Sequence, residues 1–292
     1  MTGEFISGTT RLCGVIGDPI EHTMSPAMQN AAFRAAGVDY SYAAFRVKAE
    51  ELGKAIEGMR ALNMRGLNVT IPHKVAVIPY LNELDDLAER IGAVNTIVNE
   101  NGILRGYNTD ATGFLRALLE RGIELEGANV LILGAGGASR AISFILAEGD
   151  ANLVILNRQL ELEWAEELAG RISQVFSTEV KALELNRENL AKFLDKSDIL
   201  VNATSVGMSP HINQTPVDTD LLRPGLVVFD IVYNPVKTRL VREAEAAGSK
   251  TIQGVEMLVW QGALAFELWT GEKAPVELMR EETIRLLERD ED

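Results

Sequence analysis

The sequence predicts an α/β fold of two domains, the second a doubly wound parallel sheet, with C-terminal helices that return to the first domain. Three observations support this prediction. The 292 residues exceed one average domain and suit two. Short β-type runs alternate with helical patterns along the chain. In the second half the predicted strands are almost continuously apolar, which is typical of a parallel sheet covered by helices on both faces.

The first region alternates strands with helices up to residue 112. Its predicted strands span 12–16, 40–47, 66–69, 96–99 and 103–107, and its predicted helices span 25–36, 50–62 and 85–91. In the first helix, Ser25 predicts the N-cap, Pro26 the first helical position and Gly37 the end. Asn101-Gly102 between the last two strands is a strong hairpin signal.

A more regular strand–helix rhythm follows a helix predicted at 113–121. Further strands are predicted at 129–133, 153–156, 199–201, 227–231 and 250–253, with helices at 138–147, 160–173, 187–194 and 238–247. Two final helical stretches, 255–269 and 276–288, carry faces rich in Ala, Leu and Trp that need a surface to pack on. We therefore expect domains at 1–112 and 113–256, with helices in 257–292 that return to the first domain.

The composition limits the class of protein. Lys and Arg number 28 against 42 Asp and Glu, so the net charge is −14, and a surface this negative repels nucleic acids and anionic lipid. No apolar run approaches the ~20 residues of a membrane helix, and Met1–Arg11 lacks the pattern of a secretory signal. Cys13 is the only cysteine and there are 3 histidines, which argues against disulfides and metal sites. We expect a reduced, cytoplasmic enzyme or binding protein with a small-molecule ligand and no metal, nucleic-acid or membrane partner.

A glycine-rich turn lies between a predicted strand and a predicted helix. Its residues are Gly134, Ala135, Gly136, Gly137 and Ala138. Glycines let the backbone turn tightly and approach a pyrophosphate, which the N–H groups of the helix N-terminus bind. Ser139 occupies the third glycine position of the usual spacing, and a plain glycine-rich turn is the alternative. The strand–turn–helix context favours a Rossmann-type dinucleotide-binding domain.

The end of the next strand indicates which dinucleotide is bound. An NAD enzyme usually places Asp or Glu roughly 20 residues after the turn, where it accepts a hydrogen bond from the ribose 2′-hydroxyl. Here Asn157 carries no charge and Arg158 supplies a planar cation suited to a 2′-phosphate, so the sequence predicts NADP. A solvated surface arginine is the alternative. Glu161 and Glu163 would weaken phosphate binding if they face the site.

Polar residues cluster at strand and helix ends in the first region. They are Thr23, Ser25, Thr70, Lys74, Asn95 and Asp110. Ligands of α/β sheets bind at such ends, and this mixture of an amine, a carboxylate, amides and hydroxyls suits a small polyhydroxylated acid. Lys74 and Asp110 would form a proton-handling pair beside a nicotinamide. The simpler interpretations are a helix cap for Ser25, a surface lysine for Lys74 and a capping segment around Asp110.

Eight segments, in order over more than 200 residues, resemble the shikimate dehydrogenase family. They are GDPIEHTMSPAMQNAAF, GLNVTIPHK, GAVNTI, GYNTDATGF, GAGGASRA, VNATSVGM, DIVYNP and GVEMLVWQGALAFELWTG. The resemblance covers nearly the whole chain. It implies an N-terminal α/β substrate domain and a Rossmann-type NADP-binding domain, with the C-terminal helices packing back on the first domain.

The resemblance also implies a role for each matching residue. Thr23 and Ser25 would bind the substrate carboxylate, and Lys74 would be the catalytic residue. The expected contacts to ring hydroxyls are Thr70, Asn95, Asp110 and Gln261, with Tyr233 near the substrate. The expected cofactor residues are Gly134 to Ala138, Asn157, Arg158, Ile231 and Gly254. Thr23 stands where the family more often has Ser, and its hydroxyl is retained. Gln159 and Leu162 replace the family's common Thr and second Arg, which predicts NADP preference with residual NAD activity.

The implied activity is NADPH-dependent, reversible reduction of 3-dehydroshikimate to shikimate in the pathway to chorismate and the aromatic amino acids. Two alternatives stay open at this stage. One is a quinate or dual quinate/shikimate dehydrogenase, and the other is a non-catalytic regulatory protein that binds shikimate-type ligands or NADP. Because coupled groups titrate together, the residues leave open whether Lys74 or the Lys74–Asp110 pair is the acid–base unit. We expect a monomer or a homodimer.

Overall fold

The structure is a computed structural model that describes residues 6–291, and it divides into two compact units. Unit 1 comprises Met1–Gly113 and Val259–Leu286, and unit 2 comprises Phe114–Leu258 and Leu287–Asp292. The expectation about a secretory signal in Met1–Arg11 falls partly outside the described residues. Within the described part of the chain, no helix combines the length and the apolar character needed to cross a membrane.

Unit 1 contains a mixed sheet of six strands. Its strands are β1 (Arg11–Gly17), β2 (Tyr40–Arg46), β3 (Gly66–Val69), β4 (Glu83–Leu84), β5 (Thr96–Glu100) and β6 (Ile103–Tyr107). Its helices are α1 (Ser25–Ala36), α2 (Leu52–Ala61) and α3 (Asp86–Ile91), and α4 (Thr109–Leu119) begins in it. The strand order is β2-β1-β3-β5-β6-β4, with β1 parallel to β2 and β3, and β5 antiparallel to β3 and β6.

Unit 2 contains a sheet of six parallel strands, as the apolar strand pattern predicts. Its strands are β7 (Asn129–Leu133), β8 (Asn152–Asn157), β9 (Lys181–Glu184), β10 (Ile199–Asn202), β11 (Val227–Asp230) and β12 (Lys250–Ile252). Its helices are α5 (Gly137–Glu148), α6 (Leu162–Phe176), α7 (Arg187–Leu194) and α8 (Arg239–Ala246). The strand order β12-β11-β10-β7-β8-β9 starts in the middle and grows in both directions, which is the doubly wound topology.

Two C-terminal helices, α9 (Gly254–Thr270) and α10 (Val276–Glu291), follow. The part of α9 in unit 1 packs on the first sheet, as expected. Trp269 is 1% exposed and its indole Nε1 donates to Ile97 O at 3.1 Å. Gly66 makes room for this ring, because a Cβ there would lie 1.9 Å from the indole nitrogen. Phe266 stacks on Phe33 with ring centroids 5.4 Å apart.

The structure corrects two predictions about helix starts. Ser25 is not the N-cap of α1: it is the first helical residue, Met24 precedes it, and no side-chain cap is found there. Its own N–H donates to Thr23 Oγ1 at 3.3 Å. Helix α4 begins at Thr109 rather than 113, because Asn108 Oδ1 accepts from Ala111 N at 3.1 Å and starts the helix earlier.

Two strands, β4 and β9, were not predicted from the sequence. Strand β4 has only two residues, and β9 is an edge strand whose residues are at most partly buried. Strand β4 is too short to show an alternation of apolar and polar residues, and β9 has no fully buried face that would require one. The helix predicted at 160–173 begins later than expected: residues 160 and 161 belong to a separate one-turn 3₁₀ helix, Gln159–Glu161, before α6.

Candidate active site

The topology of unit 1 brings four polar segments to one edge of its sheet. Strands β1 and β3 are parallel and end at that edge, β5 is antiparallel to β3 and begins there, and β6 is antiparallel to β5 and ends there. The predicted substrate residues adjoining these ends are Thr23, Ser25, Thr70, Lys74, Asn95 and Asp110. The fold therefore brings to one edge residues that are far apart in the sequence.

Lys74 and Asp110 form a close ion pair at this edge. Lys74 Nζ lies 2.5 Å from Asp110 Oδ2, and the two side chains are 16% and 9% exposed. The backbone fixes the lysine, because Lys74 O accepts from Val94 N at 2.8 Å. The preceding His73 is buried, and its Nε2 lies 2.6 Å from Val47 O. Because the two side chains are mostly shielded from water and joined by a short hydrogen bond, they keep a fixed position relative to each other.

Asn95 holds the other oxygen of Asp110. Its Nδ2 donates to Asp110 Oδ1 at 2.8 Å, and its Oδ1 accepts from Thr109 N at 2.7 Å. The amide orientation follows from these two bonds, since a backbone N–H can only donate. Asp110 is thus gripped by an amine on one oxygen and an amide on the other, and Asn95 is buried behind it.

A buried polar network behind the pair was not predicted from the sequence. Thr96 Oγ1 lies 3.0 Å from Thr109 Oγ1 and accepts from Asn68 Nδ2 at 3.0 Å, and Tyr42 Oη donates to Asn68 Oδ1 at 2.7 Å. Burial raises the pKa of Tyr42 well above its usual value, while a hydrogen bond with Ser25 acts in the opposite direction. Polar residues inside apolar strands were the available signal, but a sequence does not reveal which buried partners they meet.

Two glycines allow close contacts that fix the positions of Thr70 and Gln261. The methyl group of Thr70 lies against Gly17, where a Cβ would come within 2.4 Å of Thr70 Cγ2. On α4, a Cβ at Gly113 would lie 2.7 Å from the backbone nitrogen of Gln261. Because Gly113 is three residues after Asp110, this contact between α4 and α9 brings Gln261 close to the helical turn that carries the aspartate.

Thr23 and Ser25 lie where α1 begins. Ser25 is 8% exposed and Thr23 is half-buried. Met24 provides no side-chain cap for α1, and Thr23 Oγ1 accepts from Ser25 N at 3.3 Å, so the other first-turn N–H groups and the positive dipole of the helix can attract a carboxylate.

In unit 2 the glycine-rich turn has the geometry of a dinucleotide cradle. Gly134 has φ +99°, and a Cβ there would lie 3.0 Å from Ala203 O. Helix α5 begins at Gly137 after Gly136, and no side-chain cap is found for it among the described residues. Its first-turn N–H groups therefore suit a pyrophosphate. Ser139, which departs from the usual glycine spacing, is buried and its hydroxyl donates to Gly134 O at 2.6 Å, so it stabilises the turn.

The loop after β8 differs from the sequence interpretation. Asn157 Nδ2 donates to Glu161 O at 2.7 Å, so part of this amide holds the loop. Arg158 forms a two-bond pair with Glu161, with Nε 2.6 Å from Oε2 and Nη2 bonded to Oε1. Asn157 leaves that position uncharged, as the sequence shows, but the 3₁₀ turn folds the Glu161 carboxylate back onto Arg158.

Ile231, Tyr233 and Gly254 also belong to unit 2. A Cβ at Gly254 would lie 2.4 Å from Ile231 O, so glycine is required for this approach of α9 to the segment after β11. Burial raises the pKa of Tyr233, which keeps its phenol protonated. Of the predicted substrate residues, Tyr233 alone lies in unit 2; Lys74, Asp110 and the others lie in unit 1.

Among the described residues there is no group of three or more His, Cys, Asp or Glu that could hold a metal ion. The ion pair at the sheet edge of unit 1 can move a proton, and the uncapped glycine-rich turn of unit 2 can bind a dinucleotide.

Comparisons with known families match most of the chain. Residues 15–97 match the shikimate dehydrogenase substrate binding domain, and residues 117–246 match the shikimate / quinate 5-dehydrogenase family. Residues 254–282 match the shikimate 5'-dehydrogenase C-terminal domain. Together these matches include the ion pair's lysine, the glycine-rich turn and helix α9.

Individual relatives are similar over nearly their full length. A shikimate dehydrogenase (NADP(+)) of Dehalococcoides mccartyi is 49% identical over 280 residues, which is 96% of this chain and 97% of that protein. A shikimate dehydrogenase solved in complex with NADP+ superposes with a TM-score of 0.92 at 43% identity, covering 98% of each chain. The Listeria monocytogenes shikimate 5-dehydrogenase, solved with shikimate and NAD, gives 0.90 at 42% identity, covering 95% of this chain and 98% of that one.

Proposed function

The chain belongs to the shikimate dehydrogenase family, and from this premise we propose that Lys74 and Asp110 are its acid–base pair. Its activity is the NADP-dependent, reversible reduction of 3-dehydroshikimate to shikimate, an oxidoreductase step in aromatic amino acid biosynthesis. The observation that supports the assignment of residues is the sheltered Lys74–Asp110 contact of 2.5 Å.

In this proposal Lys74 is the residue that transfers the proton. NADP supplies the hydride for reduction when bound as NADPH, and takes it back in the reverse direction. Lys74 Nζ gives a proton to the ketone oxygen as it becomes a hydroxyl, and solvent then restores the ammonium. In the reverse direction the neutral amine receives that proton. Asp110 Oδ2 fixes the Nζ position, and Asn95 fixes Asp110 through Oδ1.

The other predicted substrate residues bind rather than react, and Asp110 takes part in binding as well as in the acid–base pair. Thr23 and Ser25, at the start of α1, receive the carboxylate of the substrate. Thr70, Asn95, Asp110 and Gln261 contact ring hydroxyls, and Tyr233 offers a protonated phenol to the substrate. Hydroxyl, amide and carboxylate groups together match a polyhydroxylated acid with one ketone.

Unit 2 residues hold the cofactor in this proposal. Gly134 to Ala138 cradle the pyrophosphate at the start of α5, and Arg158 faces the 2′-phosphate. Asn157, Ile231 and Gly254 line the rest of the nucleotide. We keep the sequence-based assignment of 1–112 to the substrate and 113–256 to NADP, with 257–292 returning to the first domain. The compact units of the structure differ from it at the ends, because they assign Leu287–Asp292 to unit 2.

The decisive experiment is turnover by the purified protein, followed as NADP reduction with shikimate and, in parallel, with quinate. We expect kcat/KM for shikimate to exceed that for quinate by roughly 10²-fold or more. Quinate carries one more hydroxyl than shikimate, and a site built for shikimate leaves that hydroxyl without a hydrogen-bond partner. Comparable values would indicate a dual enzyme, and an absence of turnover with both would indicate a regulatory protein.

A cytoplasmic location and a monomeric or homodimeric state complete the proposal. The only cysteine, Cys13, is buried and unsuited to a disulfide, which fits a reducing compartment. Light scattering on the purified protein distinguishes the two assembly states, and cell fractionation with an antibody tests the location.

A further inference from the structure

Arg158 already has an anionic partner within its own loop. Glu161 binds it through two hydrogen bonds, Nε to Oε2 at 2.6 Å and Nη2 to Oε1. The 3₁₀ turn of Gln159–Glu161 joins the two residues, with Glu161 N donating to Arg158 O at 2.9 Å. Asn157 Nδ2 ties down the far end of the turn by donating to Glu161 O at 2.7 Å. The pair is therefore preformed by local structure.

The pair stands beside the glycine-rich turn. Strands β7 and β8 are parallel with Leu133 opposite Leu156, and Gly134 N donates to Leu156 O at 2.7 Å. The loop that starts at Asn157 thus leaves the sheet next to the residues that cradle the pyrophosphate. In a doubly wound fold this is where the adenosine ribose and its 2′-substituent are bound.

The two nicotinamide cofactors make opposite demands on this pair. NADP carries a 2′-phosphate with roughly two negative charges, which Arg158 attracts and Glu161 repels. NAD carries a 2′-hydroxyl, which needs an acceptor such as a carboxylate. The hydrogen bond with Glu161 raises the pKa of Arg158, and the same pairing lowers the pKa of Glu161, so both partners are charged at neutral pH.

We propose that Glu161 is a cofactor-specificity residue: it competes with the 2′-phosphate of NADP for Arg158 and accepts a hydrogen bond from the 2′-hydroxyl of NAD. This inference rests on the proposed placement of Arg158 at the 2′-position. It gives the chain a built-in limit on its preference for NADP, set by one side chain rather than by the loss of a second arginine alone.

The test is the substitution Glu161→Gln, which removes the charge and keeps the size. Binding is measured by calorimetry with adenosine 2′,5′-bisphosphate and with adenosine 5′-monophosphate, neither of which can react, and kcat/KM is measured with NADP and NAD. We expect the bisphosphate to bind about three- to tenfold more tightly, the range for one exposed charge contact, while the monophosphate binds about two- to threefold more weakly because its 2′-hydroxyl loses a charged acceptor. The ratio of kcat/KM for NADP over NAD should rise by a similar factor.

Glu163→Gln is the matched control, because it removes the same charge from the exposed start of α6. It should alter the bisphosphate affinity by less than about twofold, since a charge held in solvent is screened. An equal effect of both substitutions would replace the proposed pairing with a general charge effect and overturn it.

The other outcomes are equally clear. Weaker bisphosphate binding by Glu161→Gln would mean that the carboxylate orients Arg158 for the phosphate, and unchanged binding would reduce the pair to a surface contact; either result overturns the inference. Arg158→Ala separates the two levels of the argument. If it weakens the bisphosphate while Glu161→Gln does nothing, only this inference fails, whereas unchanged binding in Arg158→Ala removes the proposed phosphate site as well.

Discussion

Lys74 contacts an aspartate that is already held from its other side. Asp110 receives Lys74 on Oδ2 and Asn95 on Oδ1, and Asn95 is in turn fixed by the backbone of Thr109. A donor held in place before the reaction needs little reorganisation when the proton moves. Removing the amine should therefore affect the chemical step more than substrate binding.

Replacing Lys74 with Met keeps the length and the apolar stem but removes the proton donor. We expect kcat to fall roughly 10²-fold or more, the scale of general acid–base catalysis, with a smaller change in KM. Steady-state kinetics in both directions measure this. Lys54→Met is the control, because that lysine is 75% exposed and its Nζ lies 3.2 Å from Glu51 Oε1 on the protein surface. A nearly normal kcat for Lys74→Met would remove Lys74 from the chemical step and contradict the mechanism.

Ser25 is a second residue whose effect on binding the structure separates from stability. It is not the cap of α1, so the loss of a helix cap no longer accompanies its substitution. Its hydroxyl is buried at the start of the helix, beside the half-buried Thr23.

Ser25→Ala should raise KM for shikimate roughly tenfold or more while kcat changes little, because a bond to a carboxylate is present in ground and transition states alike. KM, kcat and the urea midpoint are measured on the same preparation. Asn186→Ala is the contrasting variant: Asn186 does cap α7 by accepting from Asn189 N at 2.9 Å, so it should lose about 1 kcal/mol of stability with KM unchanged. The same KM in Ser25→Ala as in the parent would remove Ser25 from the carboxylate site.

At the scale of elements, the contact between α4 and α9 depends on a single glycine. A Cβ at Gly113 would lie 2.7 Å from the nitrogen and 3.1 Å from the Cα of Gln261, and backbone atoms cannot rotate away. Helix α4 carries Asp110 and α9 carries Gln261, so this contact sets the distance between two proposed substrate residues.

Gly113→Ala should push the two helices apart, raise KM for shikimate and destabilise the protein by about 1–3 kcal/mol, the usual range for overpacking. Kinetics and urea unfolding measure the two effects. Gly58→Ala in α2 is the matched control: no atom lies within 4 Å of a Cβ there, so alanine should stabilise the helix by about 0.5–1 kcal/mol. Identical behaviour of both variants would show that the α4–α9 contact does not control the site.

At the scale of the whole molecule, one buried carboxylate links folding to pH. Asp230 accepts from Asn202 Nδ2 at 2.9 Å, Thr238 Oγ1 at 2.6 Å and Val232 N at 3.1 Å. Burial is the largest effect and raises the pKa of Asp230 from 3.8 to about 6 in spite of these three donors. The folded state therefore holds this proton more strongly than the unfolded state does.

The sign of the effect follows from linkage. Between pH 3.8 and about 6 the folded protein binds more protons at Asp230 than the unfolded chain, so this group makes the protein less stable as the pH rises through that window. The accumulated cost at pH 7 is at most about 3 kcal/mol. Asp230→Asn should remove this component, so that its stability relative to the parent is higher at pH 7 than at pH 4. Urea unfolding at both pH values measures it, and an equal difference at the two pH values would refute the linkage.

Patterns along the chain determined the fold class, since they depend on local spacing. Continuous apolar strands specified the parallel sheet of unit 2, the Gly134 turn specified its nucleotide cradle, and the Ala- and Trp-rich stretch of α9 specified a helix that packs on the first sheet. Side-chain period, glycine conformation and burial of apolar surface are properties of neighbours in sequence, and they need no knowledge of distant partners. Lys74 and Asp110 were likewise identifiable from their motifs.

Only the tertiary structure decided which partners the polar side chains choose. It placed Asn95 on Asp110, Thr96 beside Thr109 and Asn68 on Thr96. Each of these hydrogen bonds joins residues from different strand ends, such as the start of β5 and the end of β6, whose relative position the sequence does not show. Hydrogen bonds are short-ranged and directional, so their pairing becomes defined only when the packed sheet brings its strand ends together.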